Sequence, residues 1–378
     1  MKNYLLAIAT LAGTVIGVGI FALPYVINQS GIIFLPVYMI ILGVIQYYLH
    51  LLFAEVVLST NGYHRLPGYV AEYSNKRNKY LALAISMLSD YGIIIVYIIV
   101  GGLFLHQLLG PFFGGSIFLY STMLFIIESL IVFFGLRLIA GAEFIMSLFL
   151  LTVIGLIAWH GWDYYNLANY SMLNLRNAFL PYGPVFFAIG GMAAIPEVCR
   201  LLARNKEKIR SAIFWGTFVP LLATSFFVVV ILGMMGNGVT PDTLSDLGLI
   251  FQDGIITLAL IFGLLAIITS FLTISQSLRE AFWWDFKINK ALAWALSCLV
   301  PYFLYLAGWR NLTKTVSITG ALAGGIFGIV LIWLVFKIKK QGNKKSVIKN
   351  KINLPIAYGL SLLFILGFIY ELWAVLFK

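Results

Sequence analysis

Charge is scarce in this sequence. Only 10% of its 378 residues are Asp, Glu, Lys or Arg, while 61% are hydrophobic. A soluble domain carries roughly 25% charged and 45–50% apolar residues. That balance excludes a water-soluble globular chain and indicates a polytopic membrane protein. Cysteine is nearly absent: Cys199 and Cys298 lie in separate apolar stretches, so no disulfide framework exists. The histidines His50, His64, His106 and His160 are scattered. No metal spacing, nucleophile elbow or phosphate loop occurs, and no cofactor is indicated. Gly17-Val18-Gly19 is not a dinucleotide fingerprint, because no strand precedes it and no third glycine follows at the right place. Long linkers and low-complexity segments are missing too.

Acidic residues are the rarer sign, 14 against 25 basic ones, which leaves a net charge of +11. The surplus reads as topology rather than as a nucleic-acid site. A spanning helix needs roughly 20 apolar residues. On that basis the spans fall at 4–28, 32–58, 80–109, 116–135, 138–160, 179–203, 211–236, 255–283, 291–308, 313–336 and 354–377. All basic residues except Arg176, Arg310, Lys314 and Lys378 then lie on one side. The positive-inside rule makes that side the cytoplasm, with the amino terminus inside and the carboxyl terminus outside a cell membrane. The opening Met1-Lys2-Asn3 resembles a signal peptide, but the apolar run passes Pro24 without a cleavage site and reads as a retained span. Leu66 to Tyr73 reads as a short amphipathic helix on the inner surface. Thr240-Pro241-Asp242 reads as a helix start.

What is abundant in unusual places is glycine. Gly13, Gly17 and Gly19, followed by Pro24, interrupt span 1, where a plain membrane helix holds Leu, Ile and Val. Span 6 repeats the pattern: Gly190-Gly191, then Pro196, with the Gly19–Pro24 spacing matched by Gly191–Pro196. The same offset carries span 3 onto span 8 and span 5 onto span 10. Five spans are an odd number, so the second set enters from the opposite face. The expected architecture is two five-helix halves of inverted topology, 1–160 and 179–336, with an additional span at 354–377, in a single transport domain. Interrupted helices at matching positions of two halves point to a transporter's binding site. Glycine alone has a plainer use, letting membrane helices approach; the matched spacing, opposite entry and flanking prolines favour the site.

A break at mid-membrane frees polar backbone groups that hydrocarbon does not tolerate. N–H groups at Gly17, Val18 and Gly19, together with the positive end of the helix that follows, suit a carboxylate. Carbonyls at Gly190 and Gly191 suit an ammonium. One anionic and one cationic pole describe a free amino acid. Phe21, Tyr97, Phe186 and Phe187 flank the breaks or share their depth and are candidates for a side-chain pocket. Thr269 and Ser270, adjacent hydroxyls in span 8, make an oxygen site for a hard cation, or bond back to their own helix. Carboxylates inside a membrane are functional candidates by default. Asp90 and Glu128 are the deep ones, neutral and hydrogen-bonded or moving protons. Glu55, Glu143 and Glu197 lie nearer the inner surface and can reach water, Glu197 as a possible inner gate.

The run Gly13-Thr14-Val15-Ile16-Gly17-Val18-Gly19-Ile20-Phe21-Ala22-Leu23-Pro24, ahead of Ser30-Gly31, resembles the first helix of the hydroxy/aromatic amino acid permease family of the amino acid–polyamine–organocation superfamily. Tyr97 with Gly101-Gly102, Thr269-Ser270-Phe271-Leu272 and the eleven-span layout fit as well, so the resemblance covers the chain. It implies an all-α integral membrane protein of the LeuT type, with spans 1 and 6 unwound at a central amino acid site. It also implies a sodium site in which the Gly13 and Ile16 carbonyls face the Ala266 carbonyl and the Thr269 and Ser270 hydroxyls. Members of the family with a similar Thr-Ser pair are proton symporters, so the coupling ion stays open between Na⁺ and H⁺. Ala194-Ile195-Pro196-Glu197 departs from the family pattern. The expected function is import of an amino acid, aromatic or small and hydroxylated, by cation symport. A membrane receptor that binds without transport is the alternative; an integral-membrane enzyme would need a polar cluster that the chain lacks. Oligomeric state is not legible.

Overall fold

The computed structural model describes residues 2–135, 140–202, 205–241, 243–248, 254–341, 350 and 352–377. Every regular element among them is helical. Span 1 is two helices, α1 (Lys2–Val15) and α2 (Gly19–Ser30), bent by 51° where the glycines fall. Each glycine costs a helix interior about 1 kcal/mol relative to alanine, so the ladder gives way there and not among the leucines. Span 2 is α3 (Phe34–Ser59), and α4 (Leu66–Tyr73) follows it. Spans 3, 4 and 5 are α5 (Lys76–Phe113), α6 (Ile117–Phe134) and α7 (Ala140–His160). Span 6 is divided into α8 (Tyr182–Ala188) and α9 (Ile195–Leu201).

The second half continues with α10 (Lys206–Met235), a short outer helix α11 (Thr243–Leu247) and α12 (Ile255–Glu280), which runs on through a π-helical turn to Asp285. Next come α13 (Lys290–Trp294) and α14 (Val300–Leu306), then α15 (Leu312–Gly320) and α16 (Phe327–Lys340), each pair joined by a π-helical turn. The last is α17 (Leu354–Phe377). Eight helices among the described residues are long and apolar enough to cross a membrane, and the bent pair α1–α2 makes a ninth candidate. The shorter apolar stretches Leu151–His160 and Lys290–Leu306 fall at spans 5 and 9. Helix starts are marked by polar caps: Asn75, Ser116, Asn205, Asn289 and Asn311 each accept the N–H three residues on.

The broken helices form the core. Leu11, Ile20, Leu23, Val185 and Phe186 are buried there, while Ile40, Val44, Phe134, Leu362 and Leu366 face outward. A continuous apolar exterior of that kind is lipid-facing surface, not a soluble protein's exterior. The peripheral α17 buries only Ala357, Phe364, Gly367 and Glu371.

Several local expectations change. The helix at Leu66 to Tyr73 forms, but it is packed into the protein rather than laid on a surface: Leu66, Pro67, Gly68, Tyr69, Val70 and Tyr73 are buried. Among the described residues the outer helix covers Thr243–Leu247, and Thr240 and Pro241 lie outside it; Asp246 accepts hydrogen bonds from Thr240 N–H (2.6 Å) and its hydroxyl (3.0 Å). Glu55 does not reach water. It is 2% exposed and accepts the Asn350 N–H (2.8 Å) and side-chain amide (2.9 Å). Asp242 and the basic residues Arg137, Arg204, Lys344, Lys345, Lys349, Lys351 and Lys378, with the Glu143 side chain, lie outside the described residues.

Candidate functional site

At the end of α1, Ile16 N–H still donates to Ala12 O (2.8 Å). The ladder resumes only with Ile20 N–H to Gly17 O (3.3 Å) and Phe21 N–H to Val18 O (3.1 Å). Between these points the N–H groups of Gly17, Val18 and Gly19 have no backbone acceptor among the described residues. In span 6, Gly190 N–H to Phe187 O (3.3 Å) closes α8, and bonding restarts with Ala194 N–H to Gly191 O (3.1 Å). The first break therefore presents donors at the positive end of α2, and the second presents carbonyls at the negative end of α8.

The two breaks are packed together. A Cβ on Gly19 would lie 2.7 Å from Ala188 Cα, and one on Gly191 would lie 2.7 Å from Val15 Cγ2. Only glycine allows that approach. Both breaks border one cavity of about 110 Å³, several times the roughly 10–15 Å³ that a single water requires. Gly17, Val18, Gly19, Gly190 and Gly191 line one end, beside Tyr97, Phe186 and Phe187. The cavity continues along α5 past Ile93 to Asp90, Ser89 and Ser86, with Ser277 and Arg65 opposite. The far side of the breaks is shut. There Phe21 packs edge-on against Phe104 (5.3 Å between centroids) and Phe227 (5.7 Å), and Thr243 Oγ1 donates to Phe21 O (2.8 Å). Phe21 is thus placed in this closure and not on the cavity wall.

The candidate ion residues are all buried. Gly13 lies in the last turn of α1 and Ile16 just beyond its end; Ala266, Thr269 and Ser270 lie in α12. Thr269 Oγ1 donates to Ala266 O (2.9 Å), the back-bonding expected of a helical threonine. Ser270 Oγ sits 3.8 Å from where a Gly17 Cβ would be, so span 8 touches the break at this point. The polar groups these residues offer, backbone carbonyls and two hydroxyls, are oxygen donors, the type suited to a hard cation.

The three candidate carboxylates part company. Asp90 faces the cavity and has no hydrogen bond or ion pair among the described residues. Glu128 is fully buried in α6, off the cavity, with both carboxylate oxygens unpartnered among the described residues. Glu197 sits on α9 next to Pro196, which does line the cavity, and pairs with Arg200.

Arg65 is a residue that reading the sequence did not find. It precedes α4, and its Nε and Nη2 both donate to Glu280 Oε2 (3.2 and 2.6 Å) at the end of α12. Asp285 joins the same cluster, accepting from Arg65 N–H (3.2 Å), Gly68 N–H (3.1 Å) and the His64 ring (3.1 Å). That hydrogen bond raises the His64 pKa above its ordinary value; burial opposes the rise, and the charges of Asp285 and Glu72 add to it. Lys79 Nζ also reaches Asp285 O, so α4 and α5 are clasped to the end of span 8. Glu371 of α17, also missed, accepts Gly183 N–H (2.8 Å) inside the first turn of α8. Nothing short-range in the sequence signals either contact.

Comparison with known proteins gives a family and a fold. A model of the tryptophan/tyrosine permease family matches residues 1–373. Tyrosine-specific transport system 1 of Haemophilus influenzae is 25% identical over 301 residues, 71% of this chain and 70% of that protein. Glutamine transporter 2 of Aliivibrio fischeri is 24% identical over 377 residues, 94% of this chain and 95% of that protein. Among solved structures, MhsT in complex with L-phenylalanine superposes with a TM-score of 0.72 at 13% identity, covering 98% of both chains. A manganese transporter of Eremococcus coleocola gives 0.63 at 12% identity, covering 99% of this chain and 86% of that one. At these identities the structures speak for the fold alone, which is of the LeuT type.

Proposed function

The chain belongs to the tryptophan/tyrosine permease family, and we propose that it is a secondary active transporter that imports an amino acid, aromatic or small and hydroxylated, by cation symport. The family is one of permeases, not of enzymes. The observation that carries the reading is the single cavity bordered by both helix breaks. Its donor end, Gly17 to Gly19, takes the substrate carboxylate; its carbonyl end, Gly190-Gly191, takes the ammonium. Tyr97, Phe186 and Phe187 shape the side-chain pocket. The names of the two transporters above support an amino acid as cargo, one aromatic and one not.

The driving cation is Na⁺ or H⁺. Gly13, Ile16, Ala266, Thr269 and Ser270 are the set that would hold Na⁺. Because Ser270 lies against Gly17, ion and carboxylate would share one unwound segment, which couples their binding. Alternating access follows from movement of spans 1, 2, 6 and 7 against spans 3, 4, 8 and 9, within the inverted halves 1–160 and 179–336. The basic residues set the amino terminus and α4 on the cytoplasmic side. The test is uptake of labelled amino acids into proteoliposomes under an imposed Na⁺ or pH gradient. Accumulation of tyrosine, tryptophan or a small hydroxylated amino acid under one gradient is the expected result. Binding without accumulation under either gradient supports the receptor instead.

A further inference from the structure

We propose that the cavity holds a second amino acid subsite, formed by Arg65 and Asp90, on the way from the helix breaks to the face that carries α4. The inference rests on the transporter reading above and extends it. Both side chains line the cavity. Asp90 makes no hydrogen bond or ion pair among the described residues. The Arg65 Nε and Nη2 are taken by Glu280 Oε2, which leaves Nη1 without an acceptor among the described residues. An open carboxylate and an open guanidinium edge on one cavity are complementary to the ammonium and carboxylate of a zwitterionic amino acid. The hydroxyls of Ser86, Ser89 and Ser277 lie beside them.

Distance separates this subsite from the central one. Asp90 is seven residues before Tyr97 on α5, about 10 Å along a helix. An amino acid's ammonium and carboxylate share one carbon, so a molecule gripped at the breaks cannot place either group on Asp90. The clasp also explains why the subsite is built where it is. Glu280 and Asp285 hold the Arg65 segment against the end of span 8, which fixes the guanidinium at the cavity wall instead of leaving it to solvent. A substrate leaving the breaks then exchanges backbone contacts for side-chain ones before it reaches water.

The test is transport from each face of proteoliposomes in turn, with wild type, Asp90→Asn and Asp90→Glu. Loss of one charged hydrogen bond raises the half-saturating concentration from the α4 face about ten-fold or more in Asp90→Asn. Detailed balance then requires the ratio of the maximal rate from that face to the maximal rate from the opposite face to rise by the same factor, while half-saturation from the opposite face stays within about two-fold. Asp90→Glu, which keeps the charge on a longer arm, restores most of the wild-type value, and its melting curve alongside that of Asp90→Asn reports whether each variant folds. Equal changes at both faces, or none at either, overturn the subsite. So does loss of pH-gradient drive alone, which would make Asp90 a proton carrier. If wild type moves no amino acid from either face, the failure belongs to the transporter reading.

Discussion

At the scale of single residues, the proposed site depends on glycines at which a side chain has no room. Gly19 is the sharpest case, because the atom in the way is backbone: a Cβ would meet Ala188 Cα at 2.7 Å. Overpacking of this kind costs about 1–3 kcal/mol, and here it would push the two breaks apart. Gly19→Ala should therefore cut uptake at least about ten-fold, whereas Gly155→Ala, with nothing within 4 Å of its Cβ, should leave uptake at wild-type level. Equal uptake by both variants would mean that the breaks need not touch. The hydroxyls of Thr269 and Ser270 give a second residue-scale test. Where Na⁺ is the driving cation, replacing both by alanine should abolish its stimulation of uptake in a Na⁺ titration; stimulation that persists removes the ion from this site. The glycines and prolines were legible in the sequence because a helix fails where its own chemistry is weak, a local property. Phe21 was harder to place: the 51° bend resets the helical phase, so a face projected from α1 does not carry into α2. Arg65 was not legible at all, since nothing within the loop says that it folds back onto span 8.

At the scale of elements, two contacts tie the mobile parts of the proposed cycle to their surroundings. The first is the clasp between the residues before α4 and the end of α12. His64 has a raised pKa in the folded protein, so the stability it contributes is fully present below its unfolded value of about 6.5 and is lost as pH rises through the higher folded value. The group is partly exposed, which keeps the effect small. The melting temperature of the detergent-solubilised protein should fall by about 1–2 °C as pH rises across that window, and His64→Gln should flatten the slope. A wild-type slope that survives in His64→Gln assigns it to another group. The second contact is Glu371 to Gly183 N–H, which joins α17 to the first turn of α8. Glu371→Leu leaves that buried donor unpaired, at a cost of about 1–3 kcal/mol, and should lower the melting temperature; an unchanged melt would show that α17 does not anchor α8. Element positions were close to readable from hydropathy, because lipid demands long apolar helices. The burial of α4 was not: its apolar face is the same whether it meets lipid headgroups or α5 and the π-helical turn after α12.

At the scale of the whole molecule, the fold brings together two segments far apart in sequence, and the site exists only there. Each break alone is a weakened helix. Packed against each other, with Gly19 on Ala188 and Gly191 on Val15, they present donors and carbonyls to one cavity. The matched glycine–proline spacing made this pairing readable in advance, while the path onward to Asp90 and Arg65 needed the packed structure. On the other side, Phe21, Phe104, Phe227 and Thr243 shut the cavity off. The direct test of the central claim is an experimental structure of the protein with the amino acid it accumulates. Its carboxylate is expected within hydrogen-bonding distance of the Gly17 to Gly19 N–H groups, with its ammonium on the carbonyls at Gly190-Gly191. Density for the amino acid anywhere that leaves either break without contact contradicts it.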